Sequence, residues 1–209
     1  MAKGIPSHHS GGNCRTHSLR YHQLHNLFRP MVEESFPLLT ADEEVASERE
    51  LLNDIEDGPY MQEVKYIIIH CSATRETRDF TVEDLLRCHK QRKFRTIGYH
   101  FYIRKNGDIK TTRPLEKIGA HARGYNKGSI GICYEGGVSE RGRPADTRTV
   151  WQKHSLRVLI RTLLVDYPDC RVCGHRDLSP DLNGNGEIEP EEWIKQCPCF
   201  DVSKEMYDK

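Results

Sequence analysis

The chain has 209 residues, and its 31 basic and 31 acidic side chains leave a formal net charge of zero. That balance supplies no global field to steer it onto nucleic acid or an anionic membrane. No stretch approaches the roughly 18 consecutive apolar residues of a bilayer span, and the N-terminus has no apolar core of an export signal. The expectation is therefore a protein made and kept in the cytoplasm unless a separate device releases it.

Residues 1–60 read differently from the rest. They hold His8, His9, His17, His22 and His25, followed by an acidic run from Ala41 to Asp57. Thr40-x-x-Glu43 offers a helix cap for a segment reaching Asn53, but little apolar face follows it. This composition predicts a poorly ordered arm, or an extension upstream of a start at Met61. Residues 61–209 are the size of one compact domain, and a monomer is expected.

Within that domain strand and helix signals alternate. Val64 to His70 is a nearly unbroken apolar run, the pattern of a strand covered on both faces. Thr81-x-x-Asp84 opens a helix with Val82, Leu85, Leu86 and His89 on one face. Gly98 to Arg104 and Asp108 to Thr112 predict a hairpin around a two-residue Asn106-Gly107 turn. Ser129 to Glu135 is a further strand, ended by Gly136-Gly137. Thr149-x-x-Gln152 opens the strongest helix, in which Leu156, Leu159, Ile160, Leu163 and Leu164 form a stripe until Pro168. Arg171 to His175 is a last short strand. The sum is an α/β fold: a single domain with a mixed central sheet and helices packed on it.

Three residues carry candidate metal chemistry. His70 and His175 each end a predicted strand, where open α/β sheets place their sites. Cys197 follows on a loop stiffened by Pro198. Two imidazoles and a thiolate leave a fourth position free, as in a catalytic zinc centre that lowers the pKa of water to about 7. A competing reading pairs Cys170-x-x-Cys173 with Cys197-x-Cys199 as an all-thiolate structural site, which would leave both histidines idle. Cys88 and Cys133 are expected to be buried on apolar faces, and Cys71 and Cys199 to be small buried neighbours of the site. Asp181, Asn183, Asn185, Gly186, Ile188 and Glu192 stand at positions 1, 3, 5, 6, 8 and 12 of a calcium loop. No entering helix precedes them, and the alternative is an insertion rich in Asx turns leading to a short helix from Pro190 to Lys195.

Six strings occur in order: Ile69-His70-Cys71-Ser72-Ala73-Thr74, Gly98-Tyr99-His100-Phe101, Gly119-Ala120-His121-Ala122-Arg123-Gly124-Tyr125-Asn126, Ser129-Ile130-Gly131-Ile132, Gly174-His175-Arg176-Asp177 and Lys195-Gln196-Cys197-Pro198. Together they resemble the type-2 N-acetylmuramoyl-L-alanine amidases, of the short phage-lysozyme type and related to peptidoglycan recognition proteins. The resemblance implies a zinc amide hydrolase acting on peptidoglycan or muropeptides, with His70, His175 and Cys197 as ligands. It implies Tyr99 and Lys195 as the catalytic pair, and His121 and Asn126 at the substrate groove. His100 should turn away from Tyr99 and be structural. The rival from another class is a peptidoglycan-binding module without turnover. The insertion between His175 and Cys197 is the departure from the simplest members of that family.

Overall fold

In a computed structural model, residues 61 and 63–205 are described. The expected arm over residues 1–60, with its Thr40-capped helix, lies outside the described residues.

The central strand is β1 (Tyr66–Cys71). Its Ile67, Ile68 and Ile69 are fully buried, because strands flank it on both sides and its two faces are both covered. Burial of each such side chain contributes about 1.5–3 kcal/mol. After the two-residue β2 (Thr74–Arg75) comes α1 (Val82–Gln91), then β3 (Phe101–Ile103), β4 (Ile109–Thr111), β5 (Ser129–Tyr134), the short β6 (Gly137–Val138), α2 (Val150–Asp166) and β7 (Arg171–Gly174). The main sheet runs β4-β3-β5-β1-β7, and β2 pairs with β6 in a separate ribbon. β3, β5, β1 and β7 are parallel, and only β4 runs antiparallel to its neighbour. This is the mixed sheet the alternating pattern predicts.

Among the described residues, both α-helices start at the expected threonines. Thr81 with Asp84, and Thr149 with Gln152, form reciprocal capping boxes that satisfy otherwise orphaned amides. In α2, Leu156, Ile160 and Leu163 are fully buried, and Gln152 Nε2 donates to the carbonyls of Ile103 and Glu135, fixing the helix against strand ends. Leu85 of α1 joins Phe80, Ile97, Tyr102 and Cys133 in one core cluster.

Two local expectations need correction. The β3–β4 connection is a three-residue loop: Gly107 N–H donates to the Arg104 carbonyl, and Arg104 N–H to Asp108. Gly107 sits at φ +90°, where a glycine closes a turn with a bulge; the Asn-Gly pair is therefore offset by one from a two-residue turn. Cys88 is exposed and not buried, since the buried positions of α1 are Leu85 and His89 and position 88 turns past that stripe. Cys133 is buried as expected.

Register decides where the site lies. Side chains alternate along a strand, so Ile68, His70, Gly131, Cys133, Tyr102 and Cys173 share one face of the sheet. His70 stands at the carboxyl end of β1 on that face. Ile69 pairs with Gly174, which delivers His175 to the same edge, immediately beyond β7.

Candidate metal centre

His70, His175 and Cys197 converge: one ligand atom from each lies within 4.8 Å of the others. Among the described residues this is the one such group of three or more histidine, cysteine or acidic side chains. The imidazoles of His70 and His175 meet edge to face with ring centroids 4.7 Å apart. His70 Nδ1 lies 3.8 Å from Cys197 Sγ. Tetrahedral zinc with bonds of about 2.0 Å to nitrogen and 2.3 Å to sulfur needs ~3.6 Å between those two atoms. The donor set and its spacing fit that ion. The four-cysteine alternative does not assemble: Cys173 is buried in a cluster with Ile68 and Ala122, and the Cys170 thiol donates to the Val64 carbonyl.

Cys197 reaches the sheet edge through anchors far apart in sequence. Its carbonyl accepts from Arg176 N–H at 2.8 Å, and the neighbouring Pro198 carbonyl accepts from the buried Tyr134 hydroxyl at 2.7 Å. Pro198 packs where a side chain at position 174 would stand, since a Cβ on Gly174 would come 2.6 Å from its Cδ. The Cys71 amide donates to Cys197 Sγ at 3.3 Å, a stabilising contact for a thiolate. The sequence marks Cys71 only as a small neighbour, and its Sγ does lie 3.9 Å from that of Cys199. Backbone amide roles leave no trace in residue type.

Electrostatics favour neutral imidazoles. Burial above all, then the nearby His121, His175 and Lys195, hold His70 well below the usual histidine range. Burial, then Lys195, lowers His175 to about 4. A neutral ring is the form that ligates metal. Lys195 is exposed, yet close enough for its charge to act on both rings. Its segment is tied down where Ile194 N–H donates to Ser179 Oγ at 3.1 Å. Tyr99 lies beside His70 with ring centroids 5.0 Å apart, and burial pushes its phenol well above the usual tyrosine range.

The remaining sequence candidates fall on the loop before β5. Asn126 Oδ1 accepts from the amides of both His121 and Ala122, at 2.9 and 2.8 Å, so it holds the loop's shape. His121 stands behind His70, with its Nδ1 3.0 Å from His70 Nε2. His100 is fully buried: Gly131 N–H donates to its Nδ1 and its Nε2 meets the Lys117 carbonyl, the structural place expected for it. In the 181–192 insertion, Asp181 accepts from the amides of Gly184 and Gly186, and Glu192 from those of Leu182, Asn183 and Glu189. Asn183 and Asn185 each accept from the amide two residues on, giving successive Asx turns. The helix expected from Pro190 to Lys195 is a single 3-10 turn, Pro190–Glu192.

Comparison with known proteins agrees with this geometry. Residues 60–192 match the family model described as N-acetylmuramoyl-L-alanine amidase. Over 143 residues the chain is 34% identical to an endolysin of Klebsiella phage KP32, spanning 68% of this chain and 85% of the phage protein. It is 48% identical over 97 residues to an uncharacterised Haemophilus influenzae protein, spanning 46% of this chain and 84% of that one. Among solved structures, N-acetylmuramoyl-L-alanine amidase LysC from Clostridium intestinale URNW aligns with a TM-score of 0.52 at 29% identity, over 66% of this chain and 78% of that one. The family match stops at residue 192, short of Lys195 and Cys197; Cys197 belongs to the three-residue cluster, and Lys195 bears on both rings through its charge.

Proposed function

The chain belongs to the N-acetylmuramoyl-L-alanine amidase family, and on that premise we propose that His70, His175 and Cys197 hold the zinc ion of its active site. The activity is hydrolysis of the amide between N-acetylmuramic acid and the L-alanine of the stem peptide in peptidoglycan. The observation that carries the zinc assignment is the mutual 4.8 Å limit on three zinc-type donors at one sheet edge. When bound, zinc supplies Lewis acidity there, polarising the scissile carbonyl and making water nucleophilic at neutral pH.

The protein's own groups do the rest. Neutral His70 and His175 and the thiolate of Cys197, steadied by the Cys71 amide, fix the charge of the centre. Tyr99 keeps its proton across the working range because burial raises its pKa, so it serves as a hydrogen-bond donor to the oxyanion developing on the scissile carbonyl. Lys195, exposed at the rim, donates to the same oxygen or passes a proton to the leaving amine. Asn126 shapes the substrate-side loop from within. All three ligands come from one chain, in keeping with a monomer acting on peptidoglycan. The likeness to a phage endolysin supports synthesis in the cytoplasm followed by release to the wall.

The test is Cys197→Ala. The variant should keep its far-UV circular dichroism, lose stoichiometric zinc and release no stem peptide from purified sacculi. Wild-type activity should vanish with chelator and return with zinc. Activity in Cys197→Ala after metal depletion overturns the metal reading. A binding-only module would instead release nothing in either form, so wild-type turnover separates the two classes.

A secondary reading concerns the 181–192 insertion. Its oxygen side chains at positions 1, 3, 5 and 12 support a calcium ion that would stiffen the segment leading to Lys195 and Cys197.

A further inference from the structure

A histidine that ligates metal through one ring nitrogen has a second nitrogen whose partner sets its tautomer and orientation. For His70 both nitrogens are accounted for. Nδ1 faces Cys197 Sγ at 3.8 Å, and Nε2 lies 3.0 Å from His121 Nδ1. The two rings stand nearly perpendicular, at 82°, with centroids 5.0 Å apart. Only one proton assignment serves a metal on Nδ1. His70 carries its hydrogen on Nε2 and donates it to an unprotonated His121 Nδ1. His121 then holds its own proton on Nε2, which points toward Ser129 Oγ at 3.4 Å.

The surroundings of His121 are built for that pose. The Asn126 side chain pins its backbone amide. Its ring fills space that two glycines leave open: a Cβ on Gly119 would stand 2.5 Å from it, and a Cβ on Gly131 would stand 2.6 Å from it. Gly131 lies on β5 directly beside Ile68, on the strand that carries His70. An alanine at either position would displace the imidazole from His70. His100 closes a further side, with ring centroids 5.7 Å apart.

We infer that His121 is a positioning residue that accepts a hydrogen bond from His70 and thereby fixes the tautomer and ring orientation of a zinc ligand. This rests on the proposed zinc site, and it gives His121 a task distinct from the substrate contact its motif implies. Outer-shell partners of this kind are worth 10–100-fold in metal affinity.

Leucine and asparagine share a branched shape at Cγ, but only asparagine places an acceptor oxygen near the Nδ1 position. His121→Leu should therefore weaken zinc binding 10–100-fold in a competition titration against a chromophoric chelator. His121→Asn should recover it to within a few-fold. With Co²⁺ in place of zinc, the visible absorption of the leucine variant should shift while that of the asparagine variant stays near wild type. Thermal unfolding of the metal-free forms separates folding from affinity, and His121→Ala replaces the leucine variant if that one does not fold. Equal zinc affinity in the acceptor-free and asparagine variants, whether both are wild-type-like or both are weakened, overturns the inference. A raised KM on sacculi with unchanged zinc affinity instead assigns His121 to substrate. Wild-type protein that takes up no zinc overturns the metal-site reading itself, and the inference with it.

Discussion

The two sides of the proposed metal centre are built on different principles. His70 ends one strand and His175 follows its parallel neighbour, and the Ile69–Gly174 register helps set their ring centroids 4.7 Å apart. Cys197 and Lys195 arrive on irregular chain, held by scattered contacts: Tyr134 to Pro198, Arg176 to Cys197, Ser179 to Ile194. The strand side is preorganised by cooperative backbone hydrogen bonds, so its geometry survives small insults. The loop side has no such redundancy, and each anchor bears directly on where the thiolate stands.

Acid should act most severely through two buried histidines of the scaffold that flank the strand side. Burial lowers His89 and His100 to about 4. Each accepts a backbone hydrogen bond at Nδ1, from Gly98 and Gly131, which protonation would abolish. Since these folded-state values lie below the unfolded value of about 6.5, the unfolded chain binds more protons between pH 6.5 and 4. Their contribution is thus complete above pH 6.5 and is lost as pH falls toward 4. The loss is up to about 3 kcal/mol for each ring. Urea unfolding of the metal-free protein at pH 7 and at pH 4.5 should show that drop, and equal midpoints would refute it.

Gly174→Ala couples the two sides. A methyl group 2.6 Å from Pro198 Cδ cannot be accommodated without moving the ring, and Cys197 is bonded to it. The overpacking should cost about 1–3 kcal/mol. Zinc affinity should fall further than stability accounts for, because the displacement falls on a proposed ligand. If chelator competition shows unchanged affinity, the loop side holds its thiolate in place without help from the strand end.

The smallest effect belongs to the insertion. Calcium at about five times its Kd should stabilise the native state by ~1 kcal/mol, or 2–4 °C in Tm. Asp181→Ala should lose that shift. A melt indifferent to calcium, or one shifted equally in the variant, removes the calcium reading.

The same contrast explains what residues alone reveal. β1 and both capped helices are legible because their signals are local: an unbroken run of isoleucines, and a threonine three residues before its reciprocal partner. His70 and His175, the proposed histidine ligands, stand out because they punctuate such runs. The offset of the hairpin turn and the exposure of Cys88 depend on one residue of register, finer than a periodic pattern can specify. His121 shows a different limit. Its motif marks it as belonging to the site, but what it touches depends on gaps left by Gly119 and Gly131, and a missing side chain advertises no purpose in sequence.

The chain past Cys197 is also part of the support. The buried guanidinium of Arg148 stacks over the Phe200 ring and bonds both Asp146 and, at 2.8 Å, Glu205. Trimming the terminus back past Glu205 would strip one of two counter-charges from a desolvated cation that packs on the segment just beyond Cys197. An engineer grafting a targeting module onto this hydrolase should accordingly splice beyond position 205, leaving that latch shut.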